Sequence, residues 1–349
     1  MSETALLSFG VEVEMILTPQ APQLSMTRYD LATKIAKFHN AEFNTNSDLK
    51  MLAVGDESET VLKDRGYKEW GLLYDGTIIV DKQGENFGME LTSPILDFDH
   101  RGEWRDHIRK AFRSVEAVAQ ITTNISCGTH VHFSLGRGKH WTHEELQEIS
   151  HAIIFFEGAL LKLVPESRRD CVSCYSNGYR TGLAAKEPAE CWKQISAFTP
   201  DTFVELMSPY ERFYSWNFFN LSKHPYEEGH WNGYTIEWRL PPGVTTTEAC
   251  LMWVELGLNF IQAARQLGTH DMLMDKKKRT VEYLKQFIKR SMDERASNER
   301  YLEPAFIDKS GRSEPTDWNT DRHSTDKHEE DQRQQAMLQE LRREDNSWG

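Results

Sequence analysis

Four short stretches of this chain carry chemically loaded side chains at a spacing of two. In LLSFGVEVEMIL (6–17), Glu12 and Glu14 alternate with Phe9, Val11, Val13 and Met15, and in GMELTSP, Glu90 and Thr92 alternate with Met89 and Leu91. In THVHFSL, His130, His132 and Ser134 oppose Val131, Phe133 and Leu135, and in YTIEWRL, Glu237 and Arg239 oppose Ile236, Trp238 and Leu240. Residues two apart on a strand share a face, so each stretch reads as a strand with one apolar face and one face of Glu, His or Arg. A lone E-x-E ordinarily faces water. A wet face would draw on Lys, Thr, Gln and Ser, whereas these four are weighted to Glu and His, and the repetition favours one shared site.

Four converging carboxylates against one arginine leave an excess of negative charge that cations must offset. Oxygen ligands select hard ions, so Mg²⁺ or Mn²⁺ held by a few carboxylates together with substrate phosphates is the natural answer, and a histidine among them suits Mn²⁺. The planar fork of Arg239 suits a phosphoryl group in transfer. Together these residues read as a phosphoryl-transfer site. No Walker A loop is present, and GRGK at 136–139 lacks the spacing, so ATP would be held mainly through metal ions.

The elements that must position these residues follow from periodicity. Leu31, Ile35 and Phe38 sit at helical spacing over 28–38, and the spacing of Trp104, Ile108, Phe112, Val115 and Val118 predicts a helix over 104–119. Thr142 and Glu145 form a capping box before a helix whose stripe is Leu146, Ile149, Ile153, Phe156, Leu160 and Leu163, ended by Pro165. Thr245 and Glu248 suggest a second box before LMWVELGLNFIQAARQL. Asp75-Gly76 and Gln83-Gly84 are turn signals within 70–92, and 166–233 reads as short elements and loops. The expected fold is α+β, a largely antiparallel sheet with helices on one face. One domain over 1–308 is expected to precede a polar, disordered tail over 309–349, with a frayed helix over AMLQELRRE.

A net charge of −13 argues against a general nucleic-acid binder, since phosphate neutralisation needs a basic surface. No signal peptide or membrane span is apparent, and five sparse cysteines suit a reducing compartment, so a cytoplasmic protein is expected. Cys171 and Cys174 form a C-x-x-C pair with no partner ligands for zinc and read, like Cys127, as ordinary packing.

FGVEVE, MELTSP, CGTHVHFSL and TIEWRLPPG, in this order across 9–243, resemble the signatures of the amidoligase family within the glutamine synthetase and glutamate-cysteine ligase superfamily. The resemblance implies an ATP- and Mg²⁺-dependent (or Mn²⁺-dependent) carboxylate–amine ligase, with an antiparallel sheet cupping the site and an acyl phosphate as intermediate. It implies that Glu12, Glu237 and His130 hold the metal at the ATP phosphates, and that Glu14 and Glu90 hold the metal nearer the carboxylate and amine. Arg239 would stabilise the transferred phosphoryl, with His132 beside it as a catalytic or substrate candidate. Asp75 in YDGT matches a family D-G turn facing the amine or nucleotide. Arg168 or Arg169 in PESRRDCVSCY, and Asn220 in FFNLS, echo further family positions as substrate candidates. The partners so implied are a small-molecule or peptide carboxylate and an amine or ammonia, with neither nucleic acid nor membrane. Two rivals remain: a metal-dependent oxygenase or hydrolase using His130 and His132 with a Glu, and a scaffold that retains the fold without catalysis.

Overall fold

A computed structural model describes residues 7–307 apart from 22–25, 44–48, 56–59, 81–84, 100, 172, 200–201, 210–211, 222–233 and 293–296. The expected Gln83-Gly84 turn, the 309–349 tail and the frayed helix expected within it lie outside the described residues. The centre of the sheet is β1 (Ser8–Pro19), whose alternation buries Phe9, Val11, Val13 and Met15 to within 1% of full burial. The remaining strands are β2 (Met51–Gly55), β3 (Trp70–Tyr74), β4 (Phe87–Thr92), β5 (Leu96–Asp97), β6 (Ala119–Thr122), β7 (Thr129–Ser134), β8 (Trp216–Asn217) and β9 (Ile236–Trp238). Their order is β2-β3-β4-β1-β7-β9-β8, with β5 and β6 also pairing β1. Every pairing is antiparallel except β2 with β3. The fold is therefore α+β, with a mixed and largely antiparallel sheet.

The five longest described helices are α1 (Arg28–Glu42), α2 (Trp104–Glu116), α3 (His143–Leu163), α4 (Thr247–Gln266) and α5 (Val281–Ser291). The Thr142–Glu145 capping box opens α3 as expected, with both reciprocal bonds formed. The cap of α4 is Thr246 rather than Thr245: its hydroxyl accepts from Ala249 N, and Ala249 has no side chain to reach back, so no box forms. The helix expected over 104–119 stops at Glu116, because Ala119–Thr122 leaves it to pair with the end of β1.

The apolar face of the sheet packs on α4. Phe133 and Trp238 from β7 and β9 meet this helix at Gly257, where an added Cβ would lie 2.6 Å from the Phe133 ring and 3.0 Å from the Trp238 ring. Only a glycine lets the helix sit this close. Trp216 stacks on Trp238 at 5.2 Å, and each such side chain, fully buried, contributes roughly 1.5–3 kcal/mol. Behind them Arg105 of α2 and Glu255 of α4 pair inside the core, and Asn259 Nδ2 donates to the same carboxylate.

The expectation of merely packed, unpaired cysteines is corrected at one place. Cys171 and Cys174 are joined as a disulfide, because a tight turn in which Cys174 N donates to Cys171 O brings the two sulfurs together. Cys127, Cys191 and Cys250 are free and buried. No helix among the described residues is long and apolar enough to cross a membrane.

Candidate active site

The face opposite the core gathers the loaded residues. Pairing of β1 with β4 sets Glu14 directly across from Glu90, and pairing of β1 with β7 sets Glu12 across from His130. On β9, Glu237 faces His132 on one side and Asn217 of β8 on the other. This face is not a solvated exterior: the side chains of Glu14 and Glu237 are 8% and 5% exposed. Asp75 enters from the turn after β3, with its Oδ1 accepting from Thr77 N and Thr77 Oγ1.

The carboxylates fall into two groups. Glu12, His132 and Glu237 each offer a ligand atom within 4.8 Å of the others, and so do Glu14, Asp75 and Glu90. His132 falls in the first group, and His130, to which the resemblance points, also lies close to both of its glutamates. His130 stands between the groups, with Nδ1 3.3 Å from Glu12 and 3.7 Å from Glu237, and Nε2 3.8 Å from Glu14. A hard divalent cation fits either group, since each supplies converging oxygens on a stiff support.

The two groups differ in charge. Burial would push the Glu12 carboxyl up, but His132 and His130 outweigh it and hold Glu12 well below the usual range. At Glu237 the penalty of burial is likewise outweighed, by Arg239, His132 and His130. In the second group, burial followed by the charges of Glu12 and Glu14 pushes Glu90 well above its ordinary value. Burial raises Glu14 as well, only partly offset by His130. The first group is a ready-made anionic pair, whereas the second holds its charge reluctantly.

Arg239 lies at the rim, where Nη1 donates to Glu237 and Nε donates to the Ser173 carbonyl at 3.5 Å. Arg168 is buried behind it: Nη2 donates to the Arg239 carbonyl and Nε to Leu240 O at 3.3 Å. Burial pulls Arg168 down to about 10. Gly128 admits this arrangement, since an added Cβ would lie 2.7 Å from His130 Nε2 and 3.1 Å from Arg168 Nη2. Gly128 N in turn donates to Glu14. Arg169 does not reach the site. Its Nε and Nη2 donate to Leu161 O and Val164 O, capping the end of α3. Asn220 is one step removed: its Nδ2 donates to Thr235 Oγ1, which stands 3.3 Å from His132 Nδ1 and so leaves Nε2 turned toward Glu12.

Sequence reasoning missed Asn217, whose Nδ2 donates to Glu237 Oε2 at 2.7 Å while its own Oδ1 accepts from Phe219 N. It fixes the orientation of the Glu237 carboxylate from behind. Its place at spacing two from Phe219 and Ser215, within an aromatic run ahead of an E-x-R strand, was the available signal.

Comparisons with known proteins bear on the family. A family model described as "Putative amidoligase enzyme" matches residues 6–261. No curated protein matches the chain. Among solved structures, a bifunctional glutathione synthetase from Pasteurella multocida is similar at 13% identity and a TM-score of 0.35, over 97% of this chain and 52% of that one. The complex between the prokaryotic ubiquitin-like protein Pup and its ligase PafA is similar at 9% identity and a TM-score of 0.28, over 86% of this chain and 58% of that one. The chain thus spans little more than half the length of these two structures. The family model covers every strand of the sheet and all the carboxylates on its loaded face, and the chain belongs to the amidoligase family.

Proposed function

We propose that the chain is an ATP- and Mg²⁺-dependent carboxylate–amine ligase that works through an acyl phosphate, in a glutamine-synthetase-like catalytic domain over 1–308 with the polar 309–349 segment outside it. The observation that carries this reading is the division of one sheet face into two carboxylate groups with His130 between them and Arg239 at the rim. Glu12 and Glu237, with His132 or His130, would hold one divalent ion, and Glu14 and Glu90 a second, with Asp75 beside them facing the amine. Such ions neutralise nucleotide phosphates and the departing phosphate.

Arg239 turns its fork from Glu237 onto the equatorial oxygens of the transferred phosphoryl. A substrate carboxylate oxygen attacks the γ-phosphorus, and the bond to the leaving ADP oxygen breaks. The amine then attacks the activated carbonyl, phosphate departs, and the proton shed by nitrogen passes to Asp75, which stands on the open turn beside Glu90. Sheet-borne carboxylates need no nucleophilic Ser or Cys for this chemistry; the gain comes from positioning and charge. The substrates we propose are a small-molecule or peptide carboxylate and an amine or ammonia, met in the cytoplasm. The arrangement favours this reading over a facial-triad oxygenase, because each group unites two or more carboxylates with at most one histidine.

The test is incubation with ATP, Mg²⁺ and pooled amino acids, peptides and amines, following phosphate release and product mass. Amide product formed one for one with phosphate is the expected result. Absence of nucleotide binding in the presence of Mg²⁺ or Mn²⁺ would sink the reading.

A further inference from the structure

The segment behind Arg239 is closed by the only disulfide among the described residues. Its turn reaches the arginine once directly and twice through a neighbouring residue. Ser173 O accepts from Arg239 Nε, and Ser173 Oγ accepts from Nη1 of Arg168, the residue that also grips the Arg239 carbonyl. Next in the chain, Cys174 O accepts from Ser215 Oγ at 2.9 Å, and the Ser215 carbonyl accepts from Arg239 N at 2.8 Å. Tyr175 pairs with the same strand, as Ser215 N donates to Tyr175 O at 2.7 Å. The backbone and the side chain of Arg239 are therefore both aligned by a turn whose ends are Cys171 and Cys174.

The two sulfurs also have partners suited to the reduced form. Cys174 Sγ lies 3.0 Å from the Arg168 carbonyl, and Cys171 Sγ lies 3.2 Å from Ser173 Oγ. A disulfide sulfur carries no proton, so it has nothing to give the Arg168 carbonyl and can only accept weakly from Ser173 Oγ, whereas a thiol at Cys174 donates to Arg168 O and one at Cys171 can also donate to Ser173 Oγ. Reduction thus adds a thiol hydrogen beside Arg168 O and beside Ser173 Oγ, and releases the cross-link that holds the Ser173 carbonyl on Arg239. The other cysteines are poorly suited to exchange, since burial pushes Cys127 up to about 11 and Cys191 and Cys250 up to about 12. Cys171, 6% exposed against 0% for Cys174, is the sulfur an external thiol would attack.

We propose that the Cys171–Cys174 pair is a redox-gated positioning element for Arg239, closing in the disulfide form to align the arginine and loosening it when reduced. This rests on the phosphoryl-transfer role proposed above for Arg239. Closure joins the two sulfurs, with two protons and two electrons passing to a low-molecular-weight disulfide such as oxidised glutathione, which leaves as two thiols. Reopening is the reverse exchange.

The experiment equilibrates the full chain in buffers of set reduced-to-oxidised glutathione ratio, traps thiols by alkylation and reads the pair by mass spectrometry, for wild type and Arg239→Gln. Coupling requires the equilibrium constant of the pair to shift by about threefold or more in Arg239→Gln, a readout that needs no turnover. In parallel, reduction is expected to lower kcat about tenfold with KM for ATP within about twofold. The Cys171→Ser/Cys174→Ser chain, checked for folding by its thermal midpoint, should hold the reduced rate at every glutathione ratio. Equal equilibrium constants in the two chains, or one kcat in both redox states, overturns the proposal. Loss of all turnover together with a shifted equilibrium constant sinks the ligase reading and upholds the coupling.

Discussion

Glu12 and Glu90 are glutamates on one face of one sheet, on neighbouring strands, and they titrate in opposite directions. Glu12 is held low by two histidines, while Glu90 is pushed up by burial and by the two carboxylates beside it. The backbone treats them alike, and the difference lies wholly in the neighbours. The first group carries its own basic partners in His132, His130 and Arg239, so it stays anionic without a cation. In the second group Thr92 donates to Glu90 Oε1 at 2.7 Å, and Glu14 takes Gly128 N and the charge of His130, which offset its burial only in part. A cation is an option for the first group and a relief for the second.

The largest expected break in this comparison comes from Arg239→Ala. Under the proposed function kcat falls by about 10³-fold while the nucleotide Kd changes by only a few-fold, since the arginine acts in phosphoryl transfer. Rapid-quench turnover beside equilibrium nucleotide binding checks this, and equal losses in both would remove the transition-state role. Next in size is Asn217→Ala, which removes the donor to Glu237 Oε2 and should weaken Mn²⁺ at the first group by about 10–100-fold while sparing the second. Paramagnetic titration of bound Mn²⁺ resolves the two classes, and a uniform loss in both would break the division.

Smaller and of opposite sign are the stability effects without metal. Glu12→Gln loses its contacts to two histidines and should cost about 1–3 kcal/mol, whereas Glu90→Gln relieves a crowded charge and should gain about 1 kcal/mol. The pH dependence follows the same division. The folded Glu90 carboxyl lies above its ordinary value of 4.5, so its contribution is fully present below that value and is lost as pH rises. The advantage of Glu90→Gln should therefore open above pH 4.5. Glu12 lies below 4.5 when folded, so its stabilisation is present above that value and is lost as pH falls through the folded value, closing the Glu12→Gln deficit. Thermal midpoints across this range read both, and a shift of the same sign in the two variants would count against the contrast. Finally, saturating Mg²⁺ should raise the midpoint of the wild type more than that of Glu90→Gln, cancelling the advantage seen without metal.

Much of this face was legible because strand alternation is a strict rule. Given Val11 and Val13 inward, Glu12 and Glu14 have nowhere else to point, and the same holds for Glu90, His132 and Glu237. Register is a different matter. That His130 would fall between the groups and His132 within one depends on which residue of β7 meets which of β1 and β9, and period two is silent on that. Elements of two residues carry no period at all, which is why β8 and its Asn217 escaped notice. Asp75 read as a turn aspartate, which it is; its approach to Glu14 and Glu90 comes from how the next segment folds back, with Ile79 N donating to Ser126 Oγ and Asn124 Nδ2 donating to Ile79 O. Arg168 and Arg169 were indistinguishable as neighbours in a loop, and a single step of the chain sends one toward β9 and the other to the end of α3. By contrast, Val281, Leu284, Phe287 and Ile288 form a plain helical stripe that the sequence displayed and that was passed over.

The close seating of α4 at Gly257 bears on which ion the opposite face would admit. Phe133 and Trp238, pressed on that helix, belong to the same two strands that carry His132 and Glu237. A sheet backed this tightly cannot spread its ligand-bearing strands. Passing from Mg²⁺ to Ca²⁺ asks each oxygen to retreat by roughly 0.3–0.5 Å and asks for more ligands. The dry side of the sheet, by refusing that expansion, would set the size of ion accepted on the wet side.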